Sequence, residues 1–221
     1  MTRFKTAGTT RTERKHRAIL DAATELFLRQ GFPRTSMDEV AAQAGVSKQT
    51  VYAQFASKEA LFVAMVRGMT HGAGDKVQHA MDALPLGTTL TEHLIAYAVR
   101  QLEVARTPQL MQLRRLVIAE AERFPELGKA LYEGGPARAI AGLAAAFAGW
   151  AEQGLLCVPN AQVAASSFNW LVMGEPVNRA MLLGDAAVPG PVVLRRHAKE
   201  AVRVFMAAYG PQSGETRARR K

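Results

Sequence analysis

Thr35-Ser36-Met37-Asp38-Glu39-Val40-Ala41-Ala42-Gln43-Ala44-Gly45-Val46-Ser47-Lys48-Gln49-Thr50-Val51-Tyr52-Ala53-Gln54-Phe55 reads as two short helices joined by a tight turn, the grammar of a helix-turn-helix. Ser36 with Glu39 forms a capping box, so the first helix runs from Met37 to about Ala44. Gly45 takes the positive φ that an L side chain resists, and Val46 fills the angle between the helices. The Ser47 hydroxyl caps a second helix that continues to about Phe55. Ala41 and Ala42 are small enough for the two helices to cross closely. Val51 and Phe55, at i and i+4, form the inner face of the second helix, and Lys48, Gln49, Thr50, Tyr52 and Gln54 its outer face. Short donors and acceptors with one aromatic suit base edges and phosphates in a major groove. The alternative is an ordinary helix pair with an exposed polar face.

Upstream, a helix is expected after Thr12 with Ile19, Ala22, Ala23, Leu26 and Phe27 on one face, ended by Gly31 and Pro33. Downstream, Ser57 caps a longer helix beginning at Lys58. The 221 residues carry 28 Lys+Arg and 19 Asp+Glu, a net charge of +9, gathered mostly at the two ends. Residues 1–35 hold eight basic residues against three acids, and residues 213–221 hold four against one. Basic ends on a near-neutral body point to a polyanion met through the N-terminal region, with solvated tails as the alternative. Arg14, Lys15, Arg17, Thr35 and Lys58 are therefore candidate phosphate contacts beside the outward face of residues 48–54, where helix N-termini add a favourable dipole, and Ser36 and Ser47 are further candidate DNA-binding residues.

No stretch shows sustained period-2 alternation, and helix formers dominate at helical spacing, so the chain is expected to be all-α with about ten helices. Thr89 with Glu92 is another capping box, Pro108 and Pro125 open helices, and Gly134-Gly135 should close one before Pro136 opens residues 137–153. Asn160 can cap the next helix, which Gly174-Glu175-Pro176 should kink or break. These marks divide the chain into a flexible basic arm (1–12), a helix-turn-helix domain (13–60), a helical body (61–210), which the family resemblance given below implies to be a ligand-binding and dimerisation domain, and a flexible basic tail (211–221).

Other classes find little support. The longest charge-free apolar run, residues 139–151, is well short of the ~20 residues that span a bilayer, and the start Met1-Thr2-Arg3-Phe4-Lys5 lacks a following apolar region, so a cytoplasmic protein without membrane contact is expected. The single Cys157 can build neither an intramolecular disulfide nor a thiolate metal site, and reads as a small packed side chain. His71, His79 and His93 lack a tight ligand spacing, so neither metal nor other cofactor is expected. A Gly-rich phosphate loop, a G-x-S-x-G elbow and a paired-carboxylate arrangement are all absent, so no enzyme is expected. A purely architectural DNA binder would need no pocket and would bind all sequences alike.

The run Ile19-Leu20-Asp21-Ala22-Ala23, Leu26-Phe27, Gly31-Phe32, then Thr35 through Val40-Ala41, Ala44-Gly45-Val46-Ser47 and its polar helix, Phe55, and Ser57-Lys58-Glu59-Ala60-Leu61-Phe62 resembles the DNA-binding domain of TetR-family transcriptional regulators. Residues 113–127 followed by Gly134-Gly135-Pro136 are similar to the C-terminal domain of the AefR-like subgroup. Gln54 departs from the pattern, standing where the family often has His or another ring. The resemblance implies a homodimer with two reading heads on a palindromic operator of double-stranded DNA. It also implies a small-molecule effector in the C-terminal body that releases it, with activation or ungated DNA binding as alternatives.

Within that body, residues 137–151 are small-sided and punctuated by Ile140, Leu143, Phe147 and Trp150. This helix and the last one, with Val202 and Phe205, are candidates for a dimer seam, an internal core helix being the alternative. Tyr97, Met111, Phe147, Phe168, Trp170 and Met173 could line an apolar pocket with Gln101 and Arg114 as polar handles, or could simply be core.

Overall fold

Thr10 accepts from the Glu13 amide and the Glu13 carboxylate accepts from the Thr10 amide, so the cap is Thr10 and the first helix starts at Arg11, two residues earlier than a start after Thr12. In the computed structural model the described residues are 10–78, 84–187 and 189–211. Residues 10–12 of the expected arm thus already form a cap and first turn, while the rest of the arm, His79 and nearly all of the basic tail lie outside the described residues.

The described residues form ten α-helices and no strand: α1 (Arg11–Gln30), α2 (Met37–Gln43), α3 (Lys48–Gln54), α4 (Lys58–Gln78), α5 (Leu90–Ala105), α6 (Pro108–Glu120), α7 (Pro125–Tyr132), α8 (Arg138–Glu152), α9 (Ala161–Leu183) and α10 (Pro191–Tyr209). The chain divides into two compact units. The first takes the described residues through Gly68 together with Leu116–Ala130; the second takes Met69–Arg115 and the described residues from Leu131 on. Leu116–Ala130, read from the sequence as part of the C-terminal body, thus packs with the N-terminal unit, where Phe124 meets Phe32 edge-on at 5.0 Å.

In the first unit, Ile19, Ala22, Ala23, Leu26 and Phe27 turn inward from α1 and join Val40, Val51, Phe55, Leu61 and Phe62. Gly31 (φ 85°) turns the chain so that Phe32 folds back between Phe27 and Phe62, with centroids 5.8 and 5.1 Å away. Ala41 is buried at the crossing of α2 and α3, whereas Ala42 faces solvent, so only the first of the two alanines serves the close approach.

The second unit is built on α5, α8, α9 and α10. Its centre is a ring cluster: Phe205 lies 4.9 Å from Phe147 and 5.0 Å from Phe168, and Tyr97 lies 6.3 Å from Phe168. Two expected interruptions take their own forms. Between α7 and α8 the chain passes through Gly134-Gly135-Pro136 as a π-helical turn, Glu133–Ala137. Gly134 is needed there because a Cβ would collide with the Thr70 hydroxyl. α9 likewise runs unbroken through Pro176. Pro176 cannot donate to Val172 O four residues back, and His197 of α10 fills that vacancy, its Nε2 donating at 2.8 Å.

A buried carbonyl left without a donor costs about 1–3 kcal/mol. His197→Leu is therefore expected to destabilise the protein by about 1–2 kcal/mol, and by less than half as much in a Pro176→Ala background, where residue 176 regains its amide. Chemical denaturation of the four proteins of this cycle measures the coupling; equal costs in both backgrounds contradict the account.

Candidate nucleic-acid interface

The head is set by its caps. Ser36 Oγ accepts from the Glu39 amide (3.2 Å) and donates to Glu39 Oε2 (2.8 Å), which also accepts from the Ser36 amide (2.8 Å). Gly45 holds φ 64°, and the Val46 amide closes on Ala41 O at 3.0 Å. Ser47 Oγ accepts from the Thr50 amide at 3.2 Å and shares a 2.8 Å bond with the Thr50 hydroxyl. These bonds fix the rotation of α3. Val51 and Phe55 are buried, while Lys48, Gln49 and Tyr52 point outward, Tyr52 with 45% of its surface exposed.

The outward groups differ in readiness. Among the described residues Gln49 and Tyr52 have no side-chain hydrogen-bond partner, and the Lys48 ammonium lies 6.0 Å from the centroid of the Tyr52 ring. Lys48 Nζ lies 2.8 Å from Asp38 Oδ1, and that bond holds the ammonium above its ordinary pKa. Arg14 and Arg17 are exposed and Lys15 half-buried, all three without a carboxylate partner among the described residues. Gln54 is half-buried, and its Oε1 accepts from His16 Nδ1 at 2.9 Å, leaving the amide nitrogen unpaired. His16 also stacks on Phe55 with centroids 5.0 Å apart. His16 escaped the sequence reading because 38 residues separate it from Gln54; its only local signal is its place within Arg14-Lys15-His16-Arg17.

Two candidate phosphate contacts are placed otherwise. Thr35 is 2% exposed, its hydroxyl donating to Gly31 O at 2.8 Å, so it braces the turn after α1 and cannot reach a phosphate. Lys58 is half-buried over the Phe32 ring at 4.4 Å, and its Nζ donates to Phe32 O at 3.0 Å. It is engaged in holding the aromatic cluster. Ser36 is exposed but committed to its cap.

The C-terminal candidates also need correction. Ile140, Leu143, Phe147, Trp150, Val202 and Phe205, considered for a dimer seam, are buried within this chain's own core and cannot face a second copy. Tyr97, Phe147 and Phe168 are all buried, with Phe168 meeting both Tyr97 and Phe147, so these rings take part in the core between α5, α8, α9 and α10. Trp170 is 50% exposed on α9 and does not line the cleft beside Met111. Gln101 is buried and donates to Asn169 Oδ1 at 2.9 Å; Met173 is half-buried against the core. Arg114 Nη1 donates to Ala105 O at 2.9 Å, and burial lowers the guanidinium's pKa from its ordinary value. Met111 lines a narrow cleft with Leu102, Arg106, Pro176, Val177, Ala180, Pro189 and Leu194, with room for about 10 Å³. Cys157 is exposed, not packed: only its backbone is held, the amide donating to Tyr209 O at 2.8 Å. His93 is buried edge-on against Trp150 and His71 is exposed; among the described residues no group of three His, Cys, Asp or Glu gathers as a metal site.

Residues 19–65 match the N-terminal domain of the bacterial regulatory proteins of the tetR family, and residues 92–211 match the AefR-like transcriptional repressor C-terminal domain, more than half of the chain. The chain belongs to the TetR family of DNA-binding transcriptional regulators. Among solved structures it is similar to a Mesorhizobium loti MAFF303099 protein assigned to the TetR family (37% identity, TM-score 0.85, covering 91% of this chain and 99% of that one). It is also similar to the flavonoid-responsive regulator FrrA (32% identity, TM-score 0.76, covering 90% and 99%). The transcriptional regulator RutR of Escherichia coli K12 is 45% identical over 53 residues, 24% of this chain and 25% of RutR, so that match spans about a quarter of the relative's length. No helix among the described residues of this TetR-family chain is long and apolar enough to cross a membrane.

The capping box of α2 carries a pH signature. Its bond from the Ser36 amide, with the Ser36 hydroxyl, holds the Glu39 carboxyl below its ordinary pKa of 4.5. A depressed folded-state pKa contributes stability above the unfolded value and loses it as pH falls through the folded one. Between pH 6 and 3 the melting temperature of the wild type is expected to drop further than that of Glu39→Gln. Parallel curves would contradict a charge-dependent cap.

Proposed function

We propose that this protein is a ligand-responsive repressor of the cytoplasm, binding a palindromic operator as a homodimer and releasing it when a small apolar molecule enters the C-terminal unit. The observation that carries this reading is the outward face of α3. Gln49 and Tyr52 stand exposed, without a side-chain hydrogen-bond partner among the described residues, on a helix whose inner side is anchored by Val51 and Phe55. In this reading Gln49, Thr50, Tyr52 and the free amide nitrogen of Gln54 meet base edges and nearby phosphates. Lys48 exchanges Asp38 for a phosphate, and Arg14, Lys15 and Arg17 bind the backbone from the start of α1. Two such helices about 34–36 Å apart would enter successive major grooves.

The dimer reading rests on a different face from the one the sequence suggested. Ala141, Ala145 and Ala148 form an exposed small-residue stripe on α8, and Val163 and Trp170 an exposed apolar stripe on α9. These two helices pack together, and their shared outer side would meet its twofold mate. Release by an effector needs a coupling of about 1–3 kcal/mol between the two sites. The repressor wording of the matching C-terminal family and the responsiveness stated for FrrA support a gated repressor.

Selection of bound duplexes from genomic DNA with purified protein tests the reading, and the selected site should be preferred over random duplex by about 10³-fold or more. Tyr52→Ala and Lys48→Ala should each weaken that site by about 1 kcal/mol or more without unfolding the protein. Arg14→Ala should weaken all sequences alike and reduce the salt slope by about one. Wild-type affinity in both α3 variants at matched salt would sink the α3 assignment. Trp170→Glu should shift the protein from dimer to monomer in sedimentation velocity; an unchanged dimer would place the seam elsewhere.

A further inference from the structure

At the end of α5 the chain places positive charge in an apolar setting and leaves it unmatched. Arg106 follows the last residue of α5, and its Nε is buried without any hydrogen-bond partner. Arg114 reaches back from α6 to the carbonyl of Ala105, the residue preceding Arg106. The neighbouring Arg115 has a carboxylate, Asp185 at 2.8 Å; Arg106 and Arg114 have none among the described residues. A buried guanidinium nitrogen without an acceptor is costly, and one in a native protein calls for a reason.

The surroundings supply one. Among the described residues Arg106 is the only charged side chain on the cleft, whose other walls are Leu102, Met111, Val177, Ala180, Leu194 and the two prolines 176 and 189, all apolar. An apolar recess with one cationic group is the pattern of a site for an amphiphile with an anionic head. With no aromatic ring among the described lining residues, stacking is lost and a flexible aliphatic tail is favoured over a planar aromatic one. In the ligand-free cleft there is room for about one water, roughly 10 Å³, so a tail must displace side chains as it enters. Met111, unbranched and adaptable, is the wall best suited to move.

We propose that this cleft binds an aliphatic monocarboxylate, its carboxylate on Arg106 and its chain along Leu102, Met111, Val177 and Leu194. The proposal names the effector class for the C-terminal unit, and so rests on the reading of that unit as effector-binding.

The test is calorimetric titration of the full chain with octanoate and with octanamide, which share a tail and differ in head charge. Octanoate should bind the wild type at least tenfold more tightly than octanamide. Arg106→Met should remove that preference by weakening octanoate alone, and Arg106→Lys should keep part of it. Each variant is checked for wild-type helicity by circular dichroism; losing a half-buried guanidinium whose Nε has no acceptor, Arg106→Met should melt no lower than wild type. Equal affinity for the two probes, no binding of either, or an Arg106→Met protein that binds octanoate as the wild type does overturns the proposal. Operator release is scored separately on the selected duplex. Octanoate that binds without releasing DNA leaves this site standing and refutes gating, whereas a ligand-free protein without operator preference refutes the regulatory reading alone.

Discussion

Seven residues are too few for a helix to persist in water, since nucleation is costly and each added bond gains little. α3 therefore exists because Val51 and Phe55 are buried and because Ser47 caps its first turn. That anchoring fixes the helix's rotation, and the rotation decides which side chains look outward. Everything the head can do to DNA follows from it, because Gln49 and Tyr52 gain their freedom from the residues beside them that have none. His16 adds a brace from α1 by stacking on Phe55 and holding the Gln54 carbonyl.

The two units solve their packing differently. The head relies on a small aromatic cluster, Phe27, Phe32 and Phe62, with the Lys58 ammonium lying over Phe32. A cation placed there steadies the loop between α1 and α2, which accounts for a lysine that a phosphate-contact reading would have spent on DNA. The C-terminal unit instead gathers rings from α5, α8, α9 and α10 at its centre. A narrow recess lies at the end of α5, where Arg106 meets apolar walls.

Interruptions in helices are handled by tertiary contacts. Pro176 deprives Val172 O of its donor, and His197 of another helix restores it, so α9 stays whole. Gly134-Gly135-Pro136 passes through a π-helical turn with Gly134 pressed against Thr70. Both segments look like stops when only local preferences are weighed, and neither stops the chain.

The sequence alone determined the features that local chemistry dictates. The capping boxes at Ser36 and Thr89, the Ser47 and Asn160 caps, the positive-φ glycines 31 and 45, and the inward face of α1 were all legible, because each depends on residues within about four positions of one another. The all-α class and the helix-turn-helix followed from them. What only the tertiary structure decided depends on groups far apart in the chain. Thr35 faces inward and Lys58 is engaged by Phe32, whereas periodicity marks a residue as polar without saying whether a carbonyl or ring awaits it. Ile140, Phe147 and Phe205 read equally well as seam or core from spacing, and only the meeting of α8 with α9 and of α10 with α5 and α9 turned them inward and Trp170 outward. An apolar stripe specifies that a helix must be covered; which surface covers it is a property of the assembled fold.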